Sequence, residues 1–220
     1  MGERAGVFGT ISPMSSNSDF KLPEHPPLMI VISGPSGAGK DSVVERMKDR
    51  GLPFHFVVTA TTRPKRDKET NGKDYFFVSE EEFTRMIREN ELLEHAFVYE
   101  ECKGIPREQV RQALASGKDV VMRLDVQGAE TIRKLASDAL MIFITAETVE
   151  EQERRLRARQ TETPDELALR IATARREFEQ VGAFDYIVVN YEDKLEETAD
   201  IVKAIIEAEH HRAKPRKVEL

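Results

Sequence analysis

The stretch LMIVISGPSGAGK, residues 28–40, decides the fold. Its first half, Leu28 to Ser33, is a short unbroken apolar run of the kind that becomes a strand buried on both faces. Its second half, Gly34 to Lys40, has the spacing G-x-x-x-x-G-K of a phosphate-binding loop, and Val43, Val44 and Met47 follow at helical spacing. Strand, loop and helix in that order are far more specific than a glycine-rich turn with an incidental lysine. In such a loop Gly34, Gly37 and Gly39 let backbone N–H groups turn inward around phosphate oxygens, while Pro35, Ser36 and Ala38 complete the turn and the helix offers its positive end. Lys40 then reaches the β- and γ-phosphates, with Ser42 beside it in the opening turn of the helix. One position departs from the pattern: Asp41 stands where a Ser or Thr usually offers a hydroxyl to Mg²⁺. A carboxylate is a hard ligand, so Asp41 is the candidate metal ligand, although it adds negative charge beside a triphosphate.

Outward from this loop, further apolar runs alternate with helical patterns: FVVTA (56–60), DVVMRL (119–124), LMIFIT (140–145) and YIVVN (186–190). That alternation predicts an α/β fold with a parallel sheet flanked by crossover helices. Ser79 with Glu82 forms a capping box ahead of Phe83, Met86 and Ile87, and Pro106 and Gly117 bracket another helix. Long helical patterns run from Pro164 to about Val181 and from about Leu195 to His210. Residues 1–27 show no periodicity and are expected to be a mobile tail, and the closing RAKPRKVEL is expected to fray.

With 220 residues, 40% hydrophobic and 33% charged, the chain has enough apolar material for a core, which excludes a disordered or disulfide-stapled class. Its formal net charge of −7 argues against general nucleic-acid coating. The single cysteine, Cys102, permits no internal disulfide and fits a reducing compartment, and no apolar run approaches the ~20 residues of a membrane span. The N-terminal segment carries Glu3, Asp19 and Glu24, unlike an acid-poor transit peptide, so a cytoplasmic location is expected.

A phosphate-binding loop does not name the second substrate. The segment TATTRPKRDKETNGKDYFFV (59–78) gathers Arg63, Lys65, Arg66 and Tyr75 between a strand and a capped helix. Guanidinium forks grip phosphate bidentately, so this is a candidate second phosphate site, with a solvated basic loop as the alternative.

At this point the ordered series GPSGAGK, TTRPKR with Glu69 and NGKDY, LLEHAFV, LDVQGA, RRLRARQTET and DYIVVN resembles the guanylate kinase family over about residues 28–207. The resemblance implies a P-loop NTPase core with a GMP-binding insert at about 61–112 and a short lid at about 152–168, followed by a helix end and tail at 208–220. It implies transfer of the γ-phosphoryl group of ATP to GMP, or to dGMP, with Mg²⁺, by a monomer or homodimer that needs neither nucleic acid nor membrane. Carried over position by position, Arg63, Arg66 and Tyr75 hold the GMP phosphate with Glu69 beside them, and Thr59, Glu94 and Asp125 read guanine. A carboxylate suits that base, whose N1–H and N2–H₂ donors lie side by side. The lid supplies Arg155 and Arg159, which share a helix face at four-residue spacing, and the next helix supplies Arg170. Asn190 falls where the family contacts adenine.

Two breaks set this chain apart. Where the family commonly has Gly-Asn-x-Tyr-Gly-Ser/Thr, this chain reads Glu100 to Ile105, so Lys103 replaces a phosphate tyrosine and Ile105 replaces a hydroxyl to the base. Two positions before Asp125 the family often has an acid and this chain has Arg123, which with Asp41 looks like an exchanged charge pair resembling that of plant-organelle guanylate kinases. The competing readings are a small ribose-phosphate kinase, which would not need Glu94 and Asp125, and a non-catalytic phosphopeptide-binding module. The module would be expected to lose Lys40 or the lid arginines.

Overall fold

The structure, a computed structural model, describes residues 24–67, 69–98, 101–158, 164–218 and 220. Nearly all of the expected N-terminal tail lies outside that set. β1 (Met29–Ser33) is buried along its whole length, as an unbroken apolar run requires. α1 (Lys40–Asp49) follows the phosphate loop and buries Val43, Val44 and Met47. Next come β2 (His55–Phe56), β3 (Ala60–Thr61), β4 (Phe76–Phe77), α2 (Glu80–Arg88), β5 (Leu92–Val98), β6 (Glu101–Pro106) and α3 (Arg107–Ala115). The chain then returns through β7 (Val120–Arg123), α4 (Val126–Leu135), β8 (Leu140–Thr145), α5 (Val149–Ala158), α6 (Pro164–Glu179), β9 (Tyr186–Val189) and α7 (Leu195–Glu209).

Five strands make a parallel sheet in the order β2-β7-β1-β8-β9, which places β1 and its loop at the centre. Alternate residues of β1 enter opposite cores. Ile30 and Ile32 pack with α1 and α7, whereas Met29 and Val31 pack with α3 and α4. The Ser79 half of the capping box forms, with Ser79 Oγ accepting from the Glu82 N–H at 3.1 Å, while the Glu82 carboxylate turns to Arg85.

A second sheet, β4-β3-β6-β5, is built entirely from the segment between β2 and α3. Its presence corrects the reading of FVVTA as one strand. The run belongs to two sheets: His55 and Phe56 pair with β7, while Ala60 and Thr61 pair with β4 and β6. At the crossing, the Gln109 side-chain amide accepts from Val58 N–H at 3.1 Å and donates to Val58 O at 3.0 Å. A glutamine thereby does the work of a neighbouring strand, so the chain can leave one sheet without orphaned backbone groups.

The closing segment does not fray as expected. The Arg216 side chain is 11% exposed, with Nε 2.6 Å from Glu209 Oε2, and Val218 packs against the β7 side of the core. A buried carboxylate at the end of α7 attracts the basic residues that composition alone reads as solvated. Among the described residues no helix is long and apolar enough to cross a membrane.

Candidate active site

The phosphate loop leaves the C-terminal end of β1, where ligands of open α/β sheets collect. Gly34 has φ 135°, and a Cβ there would stand 2.0 Å from the Ile144 carbonyl oxygen, so the loop presses directly on β8. Gly39 has φ 89°, and its Cβ would stand 2.3 Å from Asn190 Nδ2. Asn190 donates that nitrogen to Ala38 O at 3.0 Å and accepts from Thr198 Oγ1 at 3.1 Å. Its amide brackets the loop from behind. Buried Gln152 of α5 donates to Ser36 O at 2.8 Å from another side.

Lys40 Nζ folds onto the loop's own carbonyls, Gly34 O at 2.5 Å and Pro35 O at 3.0 Å. Burial pushes its pKa below the usual lysine range, with Asp41, Glu177 and Asp125 acting in opposition. On the facing side of the loop Glu177 Oε2 accepts the Ser36 N–H at 3.2 Å. Burial raises the pKa of that carboxyl, with Lys40 opposing.

The loop opens into a cleft of about 1170 Å³. From the loop it is lined by Ser36, Gly37, Gly39, Lys40 and Asp41; from the second sheet and its approach by Thr59, Arg63, Arg66, Tyr75, Glu94 and Lys103; and from α6 by Arg170. Arg123 and Asp125, at the start of the β7–α4 connection, join the two halves. Four elements distant in sequence thus converge as the motif series implies.

Arg63, buried beneath Tyr75 and Phe77, has its guanidinium carbon 4.8 Å and 5.3 Å from their ring centres. Both of its terminal nitrogens engage Glu69, one at 2.7 Å from Oε2. Glu69 also accepts the Arg66 N–H at 2.9 Å, and the Arg63 guanidinium holds its pKa down at about 2. Glu69 lies outside the cleft lining, so it positions arginines and does not face the ligand as expected. Lys103 lines the cleft with Nζ 3.5 Å from Glu101 Oε2.

Glu94 on β5 is 4% exposed, and its Oε1 has no hydrogen-bond partner. Burial, and then the neighbouring Asp125, push its pKa up to about 8. Asp125 caps α4 by accepting the Gly128 N–H at 2.7 Å. A Cβ on Gly128 would lie 3.0 Å from Glu94 Oε1, so this glycine keeps open the approach of helix to carboxylate. An orphaned, buried acceptor facing a cleft is a site shaped for a donor.

Other expectations move. Ile105 does not line the cleft: it is fully buried with Met29, Val31 and Leu93 at the end of β6, where the strand meets the core of the central sheet. Arg155 stays outside the cleft, held by Glu151 Oε1 at 2.6 Å one helical turn earlier and by Asn190 O at 3.0 Å. Arg159 lies outside the described residues, and Ser42 is exposed beside the cleft without lining it. Pro35 and Ala38 form the back of the loop. Sequence reasoning overlooked Glu101 and Glu177. The signal for Glu177 was its spacing, two helical turns after Arg170, which puts both residues on one face of α6.

No three Asp, Glu, His or Cys side chains converge as a metal cage among the described residues. This sparse donor set fits Mg²⁺, which takes one or two carboxylates and otherwise keeps water and substrate phosphates.

The sequence matches the family model described as guanylate kinase over residues 27–209. It is 49% identical over 205 residues to "Guanylate kinase 2, chloroplastic/mitochondrial" of Oryza sativa subsp. japonica, covering 93% of this chain and 72% of the rice protein. It is 41% identical to the guanylate kinase of Lactobacillus johnsonii, covering 86% of this chain and 92% of the other. The crystal structure of guanylate kinase from Anaplasma phagocytophilum superposes with a TM-score of 0.70 at 28% identity, over 87% of this chain and 90% of that one. A family match that spans both halves of the cleft, with relatives aligned along most of their length, shows that the chain belongs to the guanylate kinase family.

Proposed function

We infer that this protein transfers the γ-phosphoryl group of ATP to GMP, giving ADP and GDP. The observation that carries the acceptor assignment is Glu94, a buried carboxylate of the second sheet that lines the cleft with an unpartnered oxygen. Guanine brings two adjacent N–H donors to such a group, whereas adenine has no matching pair and a ribose phosphate has no base. Asp125 and Thr59 line the same cleft and add acceptors.

In this reading the GMP phosphate lies against Arg63, Arg66, Tyr75 and Lys103, and the triphosphate of ATP lies in the loop from Gly34 to Lys40. A GMP phosphate oxygen attacks the γ-phosphorus in line, a P–O bond to GMP forms, and the P–O bond to ADP breaks. Little covalent work falls to the protein, so the rate depends on positioning and on cations that follow the migrating charge. Lys40 and Arg170 line the cleft for that role, and the family resemblance assigns Arg155 and Arg159 to the same role. Mg²⁺ would supply neutralisation of phosphate charge when bound, and Asp41 is the loop carboxylate that would hold it. Retention of Lys40 and Arg170 in one cleft with the acceptor site opposes a purely phosphopeptide-binding role. A single cysteine and an acidic chain support work in a reducing cytoplasm, without nucleic acid.

The test is ADP release measured across GMP, dGMP, AMP, CMP, UMP and ribose phosphates. GMP should be turned over fastest. Preferred turnover of AMP or a ribose phosphate would refute the assignment.

A further inference from the structure

Arg123 ends β7 in the central sheet, but its guanidinium leaves the core and enters the cleft. Its Nη2 donates to Tyr75 Oη at 2.5 Å, and its Nη1 lies 3.2 Å from Asp41 Oδ1. Its guanidinium carbon is 5.1 Å from the centre of the Tyr75 ring, the ring that also carries Arg63. Tyr75 belongs to the insert, and Asp41 follows Lys40 at the start of α1. One cation therefore touches both the edge of the phosphate loop and the tyrosine of the second phosphate site.

The arrangement is selective. Arg63 is tied within the insert to Glu69, and Lys40 is folded onto its own loop. Arg123 spans the two halves, is only 23% exposed, and is held from one side by an Asp41 side chain that is itself 64% exposed. A buried guanidinium needs an acid to stay charged and oriented, and Asp41 supplies one without blocking the side that faces the cleft.

We propose that Arg123 is a phosphate-contacting residue standing between the γ-phosphate of ATP and the phosphate of GMP, with Asp41 as its positioning residue. The inference rests on the reading of the cleft as an ATP and GMP site. Two anionic phosphates must approach to bonding distance for transfer, and their repulsion is greatest in the low-dielectric space between the halves. A guanidinium at that seam offsets the repulsion only when both nucleotides are present. Each nucleotide alone gains little from it, and the pair gains most.

That asymmetry gives the experiment. Steady-state rates with ATP and GMP are measured for the full chain and for Arg123→Met, Arg123→Lys, Asp41→Asn and the Asp41→Asn/Arg123→Met double variant. Calorimetry then gives the affinity of each variant for GMP alone, for a non-hydrolysable ATP analogue alone, and for a bisubstrate analogue in which adenosine and guanosine are joined by five phosphates. Arg123→Met should lower kcat about 100-fold and weaken the bisubstrate analogue about 100-fold, while each single nucleotide binds within about threefold of the parent. Arg123→Lys should recover at least about tenfold of the lost kcat, since it restores charge without the fork. Asp41→Asn should cost about tenfold alone and markedly less in the Arg123→Met background, where only its part toward Mg²⁺ is left to lose.

Near-parent kcat for Arg123→Met, or equal weakening of all three ligands, would overturn the proposal. A full additional loss from Asp41→Asn in the double variant would overturn the positioning role of Asp41. If the parent chain does not phosphorylate GMP, the function itself falls, an outcome separate from variants that match an active parent.

Discussion

The two ends of the cleft are built on opposite principles. The phosphate loop is complete before any ligand arrives: glycines at positive φ, a bracket from Asn190, a clamp from Gln152 and a carboxylate on the Ser36 N–H hold its shape. At the acceptor end Glu94, proposed above to read the base, is buried with its Oε1 unpartnered and its pKa pushed up to about 8. One end is preorganised by satisfied backbone. The other holds an unsatisfied group whose strain is relieved by binding. Generic anion recognition can be made from main chain and kept ready, whereas discrimination between bases needs a buried polar group that is costly to leave unmatched.

The largest effect expected from breaking this contrast is at the ready-made end. Lys40→Ala should lower kcat at least ~100-fold, because it removes the charge that follows the migrating phosphoryl group. Stopped-flow rates that stay near the parent value would remove Lys40 from the mechanism. At the other end, Glu94→Gln should weaken GMP by ~1–3 kcal/mol and leave ATP binding nearly unchanged, since an amide offers one acceptor oxygen where guanine brings two donors. The same change should make the ligand-free protein more stable at pH 7, by on the order of 1 kcal/mol or more, because an isosteric neutral group replaces a carboxyl that resists ionisation. Calorimetry and thermal unfolding on one variant therefore read opposite signs, and a loss in both would make Glu94 a structural residue.

Proton linkage sharpens the comparison further. The folded, empty protein keeps a proton on Glu94 up to about pH 8, above the ordinary carboxylate range. The folded state therefore binds more protons than the unfolded chain between those limits, and this group's contribution to stability falls as pH rises through them. Guanine requires the ionised form, so GMP affinity should strengthen by up to ~tenfold per pH unit between pH 7 and 8 and then level off. Glu94→Gln should flatten that slope, and ATP affinity should not share it. The smallest effect is expected from Asn190→Ala, which removes the bracket behind the loop: about 1 kcal/mol of stability and a few-fold in ATP affinity, with GMP affinity unchanged. Equal shifts in both nucleotides would show that the bracket supports the cleft as a whole.

Much of this was legible in the primary structure because local patterns sufficed. The loop follows from spacing, four of the five expected core strands from unbroken apolar runs, and the start of α2 from Ser79 and Glu82. What escaped depends on partners far along the chain. The division of residues 55–61 between two sheets turns on Gln109, some fifty positions later. The inward turn of Ile105 follows from a strand register that the motif comparison did not contain. The ordered end of the chain depends on a Glu209 buried by packing, so the basic character of Arg216 signified a partner and not solvent. Glu177 needed only helical periodicity, applied from Arg170, and was within reach.

Glu177 carries one more consequence. The Ser36 N–H that donates to its carboxylate belongs to the very loop that must receive phosphate, and one N–H cannot serve both fully. Entry of a nucleotide is therefore an exchange of anions, with the departing one attached to α6. Because Arg170 rides on the same face of that helix, the event that vacates the loop also acts on the arm that carries a cation into the cleft. Measured ATP affinity is thus a net quantity, the grip of the loop on phosphate less its grip on its own carboxylate.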